Sequence, residues 1–154
     1  MKKSTLIKFI NFYTPFLGAG IKVDKHAADF TSFDVSLRMR WWNKNIVGAH
    51  FGGSLYAMTD PFFMLILMQN LGKDYIVWDK GAKIDFKKPG KGTLRAHFEI
   101  AKEEIQRIKE QADQNYKVEP VFKVDVKDED GEVIASVEKT LYVRRKDRVP
   151  GPKL

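Results

Sequence analysis

Gly53-Ser-Leu-Tyr-Ala-Met-Thr-Asp60-Pro-Phe-Phe-Met-Leu-Ile-Leu-Met-Gln-Asn-Leu71 is apolar almost all the way round a helical wheel. A helix with one apolar stripe lies on a surface, whereas a helix that is hydrophobic on every side has to be buried on every side. Leu55, Tyr56, Ala57, Met58 and the run Phe62 to Met68 leave no polar face to give to water. The rest of the chain must therefore wrap this segment.

The flanking sequence supplies one-faced strands for the wrapping. Phe33, Val35, Leu37, Met39 and Trp41 alternate with Ser32, Asp34, Ser36, Arg38 and Arg40, which is the period of two of a strand with one buried face. The alternation returns in Leu94, Ala96, Phe98 and Ile100, in Phe122, Val124 and Val126, and in Val133, Ala135, Val137, Leu141 and Val143. Ile84 and Phe86 form a shorter segment ended by Pro89-Gly90. Asp128-Glu-Asp-Gly131 has the composition of a tight hairpin turn, with Gly131 free to take a positive φ. A helix is expected from about Ser4 to Tyr13, ended near Pro15, and a surface helix from about Glu103 to Asp113 with Ile105, Ile108 and Ala112 as its stripe. One buried helix among such strands predicts an α+β chain of the hotdog arrangement: an antiparallel sheet of five to six strands around a long central helix.

At 154 residues the chain suits a single domain over 1–154, with 1–20 as an N-terminal helix and lead-in and 146–154 as a basic tail. A hydrophobic share of 44% with 31% charged residues excludes disordered and collagen-like classes. There is no cysteine, hence no disulfide framework or thiolate metal site, and a reducing cytoplasm is the expected compartment. Lys8 and Asn11 interrupt the early apolar residues and no A-x-A-like site follows, so neither a signal peptide nor a membrane span is expected. The net charge of +7 suits a polyanion such as the phosphates of coenzyme A, but the positive residues are scattered, so nucleic acid is not an expected partner. The cluster Arg144, Arg145, Lys146 and Arg148 reads as a solvated face and frayed tail. His26, His50 and His97 have no ligand spacing, so no metal site is expected.

Chemistry concentrates in Asn45-Ile-Val-Gly48-Ala-His50-Phe51-Gly52-Gly53-Ser54 and in Asp60, seven residues beyond Gly53. The first amides of a helix lack intrahelical acceptors, so Gly52, Gly53 and Ser54 can donate to a developing oxyanion, and glycine lets a carbonyl come close. Asp60 is a carboxylate in apolar surroundings, which asks for a reason. Pro61 disfavours helical geometry at Asp60, so a kink or break is expected there, and Asp60 is alternatively the N-cap of a second helix.

This run resembles the signature of PaaI-type thioesterases of the hotdog superfamily, in which an Asn and a Gly precede a His-Gly-Gly at the start of the central helix and an acid sits upon it. Asn45, Gly48, Gly52, Gly53 and Asp60 match that pattern. The strand and turn Lys83 to Leu94 and the last two strands, Val121 to Val143, are also similar, and the closest form is an uncharacterised branch with the Pro15-to-Gly20 motif. The resemblance implies hydrolysis of an acyl-CoA or other acyl thioester. Asp60 is the implied nucleophile or base, Gly52 and Gly53 the oxyanion donors and Asn45 the residue that places the water. The resemblance further implies a site between two subunits of a homodimer or dimer of dimers, with no cofactor beyond the coenzyme A of the substrate. Phe51 stands where the better characterised enzymes have His, with His50 one position away as a substitute donor. Lys83, Lys87 and Lys88 are the candidates for the nucleotide phosphates, and Phe51 and Ser54 complete the expected substrate-binding set. Loss of that His also permits a hotdog that binds acyl groups or acyl-CoA without catalysis; the hotdog hydratase reaction needs an Asp and His in another arrangement.

Overall fold

The computed structural model describes residues 5 and 9–148. In chain order the elements are α1 (Thr14–Ala19), β1 (Ile21–His26), β2 (Ser32–Arg38), α2 (Gly52–Ala57), α3 (Phe62–Leu71), β3 (Tyr75–Phe86), β4 (Thr93–Glu99), α4 (Lys102–Gln114), β5 (Val121–Lys127) and β6 (Val133–Arg145). The strands form one sheet in the order β1-β2-β4-β5-β6-β3, antiparallel at every pairing. α2 and α3 run inside its curl, so the hotdog arrangement expected from the sequence is the fold observed.

The alternating residues do what their period requires. Phe33, Val35 and Leu37 of β2, Leu94, Ala96 and Phe98 of β4, Val124 and Val126 of β5 and Ala135, Val137, Leu141 and Val143 of β6 are all buried. They close on Phe62, Phe63, Ile66 and Leu67 of α3, and the Phe62 ring centre lies 5.4 Å from that of Phe33 and 4.8 Å from that of Phe98. Burying each of the Val, Leu, Ile and Phe side chains among them stabilises the fold by about 1.5–3 kcal/mol. The β5–β6 hairpin turns at Asp128, whose carboxylate accepts the amides of Asp130 and Glu132, and Gly131 takes φ 82°.

Four expectations need correction. The central helix breaks at 58–61, as Pro61 leads one to expect, but its second half is not covered on every side: Met64 and Leu65 are half-buried and Met68 is exposed. Trp41 does not continue the inward row of β2, because Asn43 ends the strand early. Its side chain accepts the Arg40 amide at 2.6 Å and donates to the carbonyls of Arg38 and Ala19, both at 2.8 Å, leaving Trp41 exposed. Pro15 opens α1 rather than ending a helix, and the expected helix at 4–13 lies partly outside the described residues, with Phe9 and Ile10 helical. The C-terminal cluster is pinned rather than frayed as far as it is described: Arg145 binds Asp113 at 3.2 Å and Asp147 at 2.6 Å, Arg144 stacks over Tyr116, and Arg148 donates to the Asp113 carbonyl. Residues 149–154 of the expected tail lie outside the described residues.

Candidate active site

The loop 45–50 is built around Asn45. Its carbonyl oxygen accepts the amides of Val47 at 3.1 Å and Ala49 at 2.9 Å, which folds the chain back towards α2. That oxygen is thereby committed to the loop, and only the amide nitrogen, 3.4 Å from the His50 carbonyl, is left to meet a water. His50 is buried, with Nε2 2.8 Å from the Gly92 carbonyl. A carbonyl only accepts, so Nε2 carries the proton and Nδ1, which has no partner among the described residues, is a bare acceptor. Burial holds the imidazole below its ordinary pKa, hence neutral. His50 therefore does not stand in as a donor to a substrate carbonyl; it ties this loop to the turn at 90–92.

At the start of α2 the amides of Ser54 and Leu55 both return to the Phe51 carbonyl, at 2.9 and 3.3 Å. Ser54 is thus spent, whereas the amides of Gly52 and Gly53 have no acceptor among the described residues. Aromatic rings lie over both glycines: a Cβ at Gly52 would meet the Phe86 ring at 3.0 Å, and one at Gly53 would collide with the ring of exposed Phe51. A cavity of about 430 Å³ opens at this helix start, lined by Asn45, His50, Gly52, Phe86, Lys87 and Lys88 among others. Lys87 is exposed beside it, while Lys88 is paired with Glu132 and lies 3.8 Å from Asp128. Lys83 is not in this group; it faces a separate groove and pairs with Asp85 at 3.3 Å.

Asp60 sits in the break, as the proline after it demands. It does not cap α3, whose N-cap is Pro61 with no side-chain bond. Its Oδ1 instead accepts from the ammonium of Lys139 at 3.0 Å. Lys139 also lies 3.2 Å from Asp79 and 3.4 Å from the Tyr56 hydroxyl, and is itself fully buried. Asp60 is open, with 47% of its side chain exposed. It lines a second, largely apolar cavity of about 410 Å³ with Ile10, Tyr13, Phe16, Met64 and Leu65.

Two features of the sheet place this cluster. On β6 the odd positions 135, 137, 141 and 143 face the core, and Lys139 occupies the same row. On β3, Ala82 and Ile84 pair with Lys139 and Val137, so position 80 would be the next to face inward. A bulge between Asp79 and Gly81 skips it, turning Asp79 in and leaving Lys80 outside with Glu119 at 2.6 Å. Desolvation works against the Lys139 ammonium, but the hydrogen bonds and charges of Asp60 and Asp79 prevail and hold its pKa above the ordinary value. Burial pushes Asp79 up despite Lys139, and its Oδ1 has no partner among the described residues. Burial likewise raises Tyr56. Sequence reading passed over Lys139, although a lysine in the inward phase of 133–143 is the signal that finds it.

The sequence model of the family described as a domain of unknown function, DUF4442, matches residues 2–143. The chain belongs to this family. Comparison with curated proteins finds no match. Among solved structures it is similar to a Pseudomonas aeruginosa protein of unknown function, PA5026, called a probable thioesterase, with a TM-score of 0.80 at 18% identity over 92% of this chain and 95% of that one. It is also similar to thioesterase HI1161 of Haemophilus influenzae, with a TM-score of 0.66 at 13% identity over 94% and 92%. A protein of unknown function from Chlorobaculum tepidum, OLEI01261, gives a TM-score of 0.73 at 13% identity over 93% and 94%. These likenesses establish a hotdog fold shared with thioesterases. No helix among the described residues is long and apolar enough to cross a membrane.

Proposed function

We propose that the protein hydrolyses an acyl-CoA, or another acyl thioester, in a site shared between two copies of the chain. The observation that carries this reading is Asp60: one carboxylate oxygen is held by Lys139 and the side chain stands half-open at the wall of an apolar cavity fit for an acyl chain. Asp60 takes the proton of a water as that water attacks the thioester carbonyl. The amides of Gly52 and Gly53 stabilise the oxyanion, and collapse of the tetrahedral intermediate expels the thiolate. Direct attack by Asp60, forming an anhydride that water then opens, uses the same groups.

Geometry favours two copies. Asp60 lies seven residues beyond Gly53, past the end of α2, which at a helical rise is roughly 10 Å and too far for both to act on one carbonyl from the same chain. They also line different cavities. β3 is a twelve-residue edge strand whose outer side pairs with no other strand among the described residues, and Ile46, Val47, Phe51 and Phe86 are exposed apolar residues. Long edges and such side chains are normally covered. A homodimer, alone or as half of a tetramer, covers them and brings Asp60 of one copy to the diglycine of the other. Lys87, beside that cavity, is placed to meet phosphates of coenzyme A, and a cysteine-free chain suits the cytoplasm.

Free-thiol release from acetyl-, octanoyl- and palmitoyl-CoA tests this, with Asp60→Asn expected to lose about 10²–10⁴-fold in rate while keeping its fold. An unchanged rate removes Asp60 from the mechanism. A second reading has one observation in its favour: the Phe51 ring lies over Gly53, where relatives of the PaaI type carry a His. Purified protein that retains acyl-CoA yet releases no thiol would make it a binding protein.

A further inference from the structure

Lys139 is the one Lys, Arg, Asp or Glu that is buried among the described residues, and it lies at the centre of a row that is otherwise apolar. Burying an ammonium is costly unless it is paired, and a methionine or leucine would fill the same place without that cost. Packing alone does not account for it. The contacts do: Lys139 reaches Asp60 from β6 at 3.0 Å and Asp79 from β3 at 3.2 Å, with Tyr56 of α2 above it, its ring centre 5.3 Å from the ammonium. Tyr13, from the segment before α1, is the other titratable group at the Asp60 cavity. The β3 bulge exists at the one place where it converts an outward Asp79 into an inward one.

We infer that Lys139 is a positioning residue for the reaction, clamping Oδ1 of Asp60 so that the second oxygen faces the acyl cavity, with Asp79 as a competing carboxylate that tempers the clamp. The inference rests on the hydrolytic reading above. Lys139 touches neither water nor thioester; it acts through Asp60. Two carboxylates share one ammonium, so substitutions of Lys139 and of Asp79 change the surroundings of the Asp60 carboxylate in opposite senses. Removing either partner should therefore move the acid side of the reaction's pH profile, in opposite senses.

The test is kcat/KM against pH, for whichever of acetyl-, octanoyl- or palmitoyl-CoA the wild-type protein turns over fastest, with folding checked by circular dichroism. Lys139→Met is expected to move the acid limb upward, the direction in which loss of an adjacent opposite charge acts. Lys139→Arg, which keeps the cation, is expected to hold the limb near its wild-type position. Asp79→Asn is expected to move the limb downward, because Asp60 then has the ammonium to itself. A merely structural lysine would lower activity at all pH values without displacing the limb. If Lys139→Met does not fold, Asp79→Asn decides, and an unmoved limb there overturns the inference. Asp60→Asn as active as wild type sinks the hydrolytic reading itself; Asp60→Asn inactive with an unmoved limb in Lys139→Met and Asp79→Asn overturns only the role of Lys139.

Discussion

In the hydrolysis proposed above, the start of α2 at Gly52 and Gly53 and the break that follows it at Asp60 would contribute by different physics. At the start the working groups are backbone amides. They need only a helix that begins there, side chains small enough to admit a carbonyl, and a loop folded by Asn45 and His50 to hold the approach. At the break the working group is a charge, and a charge beside a core requires partners from distant parts of the chain. Asp60 is steadied by Lys139, 79 residues away in sequence, and Lys139 by Asp79. Backbone sites are local and can be carried by a short motif; charged sites are tertiary and need the sheet to assemble them.

The largest test of this contrast concerns the charged end. Asp60→Asn with Asp79→Asn leaves Lys139 buried without a counter-ion, and is expected to cost about 3–5 kcal/mol in urea unfolding. Lys139→Met should cost less, because the carboxylates it releases are partly exposed and can hydrate. Equal losses would mean that the ammonium is not the expensive member of the cluster. At the backbone end, Gly53→Val places branched carbon where Phe51 and a substrate carbonyl meet. It should lower kcat by about 10²–10³-fold, the scale of losing one oxyanion donor, with little change in unfolding midpoint. A wild-type kcat in that variant would take the diglycine out of the site.

Gly90→Ala sharpens the role of the turn that His50 holds. The added Cβ would meet Leu94 at 2.8 Å and Ile134 at 2.9 Å, both buried, so a loss of about 1–3 kcal/mol is expected by thermal or urea unfolding. The smallest effect is a pH dependence. Lys139 has a raised folded-state pKa, so its contribution to stability is fully present below the ordinary lysine value of about 10.4 and is lost as pH rises through the raised value. Urea midpoints followed into the alkaline range should therefore fall more steeply for wild type than for Lys139→Met; parallel curves would contradict the pairing.

Much of this was legible in the sequence. Period-two residues located β2, β4, β5 and β6, and the all-round apolar run located the helix they wrap. Gly52, Gly53 and Asp60 were marked as candidates by their spacing together with the resemblance to PaaI-type thioesterases, and the break at Asp60 by the backbone sterics of Pro61. What escaped did so for a shared reason. β1 was not read, and β3 was seen only near Ile84 and Phe86, because each carries a register shift, between Val23 and Lys25 and between Asp79 and Gly81, that changes the parity of the inward residues midway. A pattern of two cannot be followed across such a step. Lys139 was hidden differently: its own strand kept a clean alternation, and a lysine in an apolar row reads as an exception until the carboxylates that justify it come into contact.

The most direct test of the whole account mixes subunits. Asp60→Asn chains retain the diglycine, and Gly53→Val chains retain the carboxylate; each alone should be nearly inactive against acyl-CoA. Co-refolded in equal amounts, the two should recover a substantial fraction of wild-type thiol release, since each mixed dimer holds one site with both parts intact. A mixture no more active than its separate components, from chains that demonstrably form mixed dimers, would contradict a site assembled from the start of α2 in one copy and the break after it in the other.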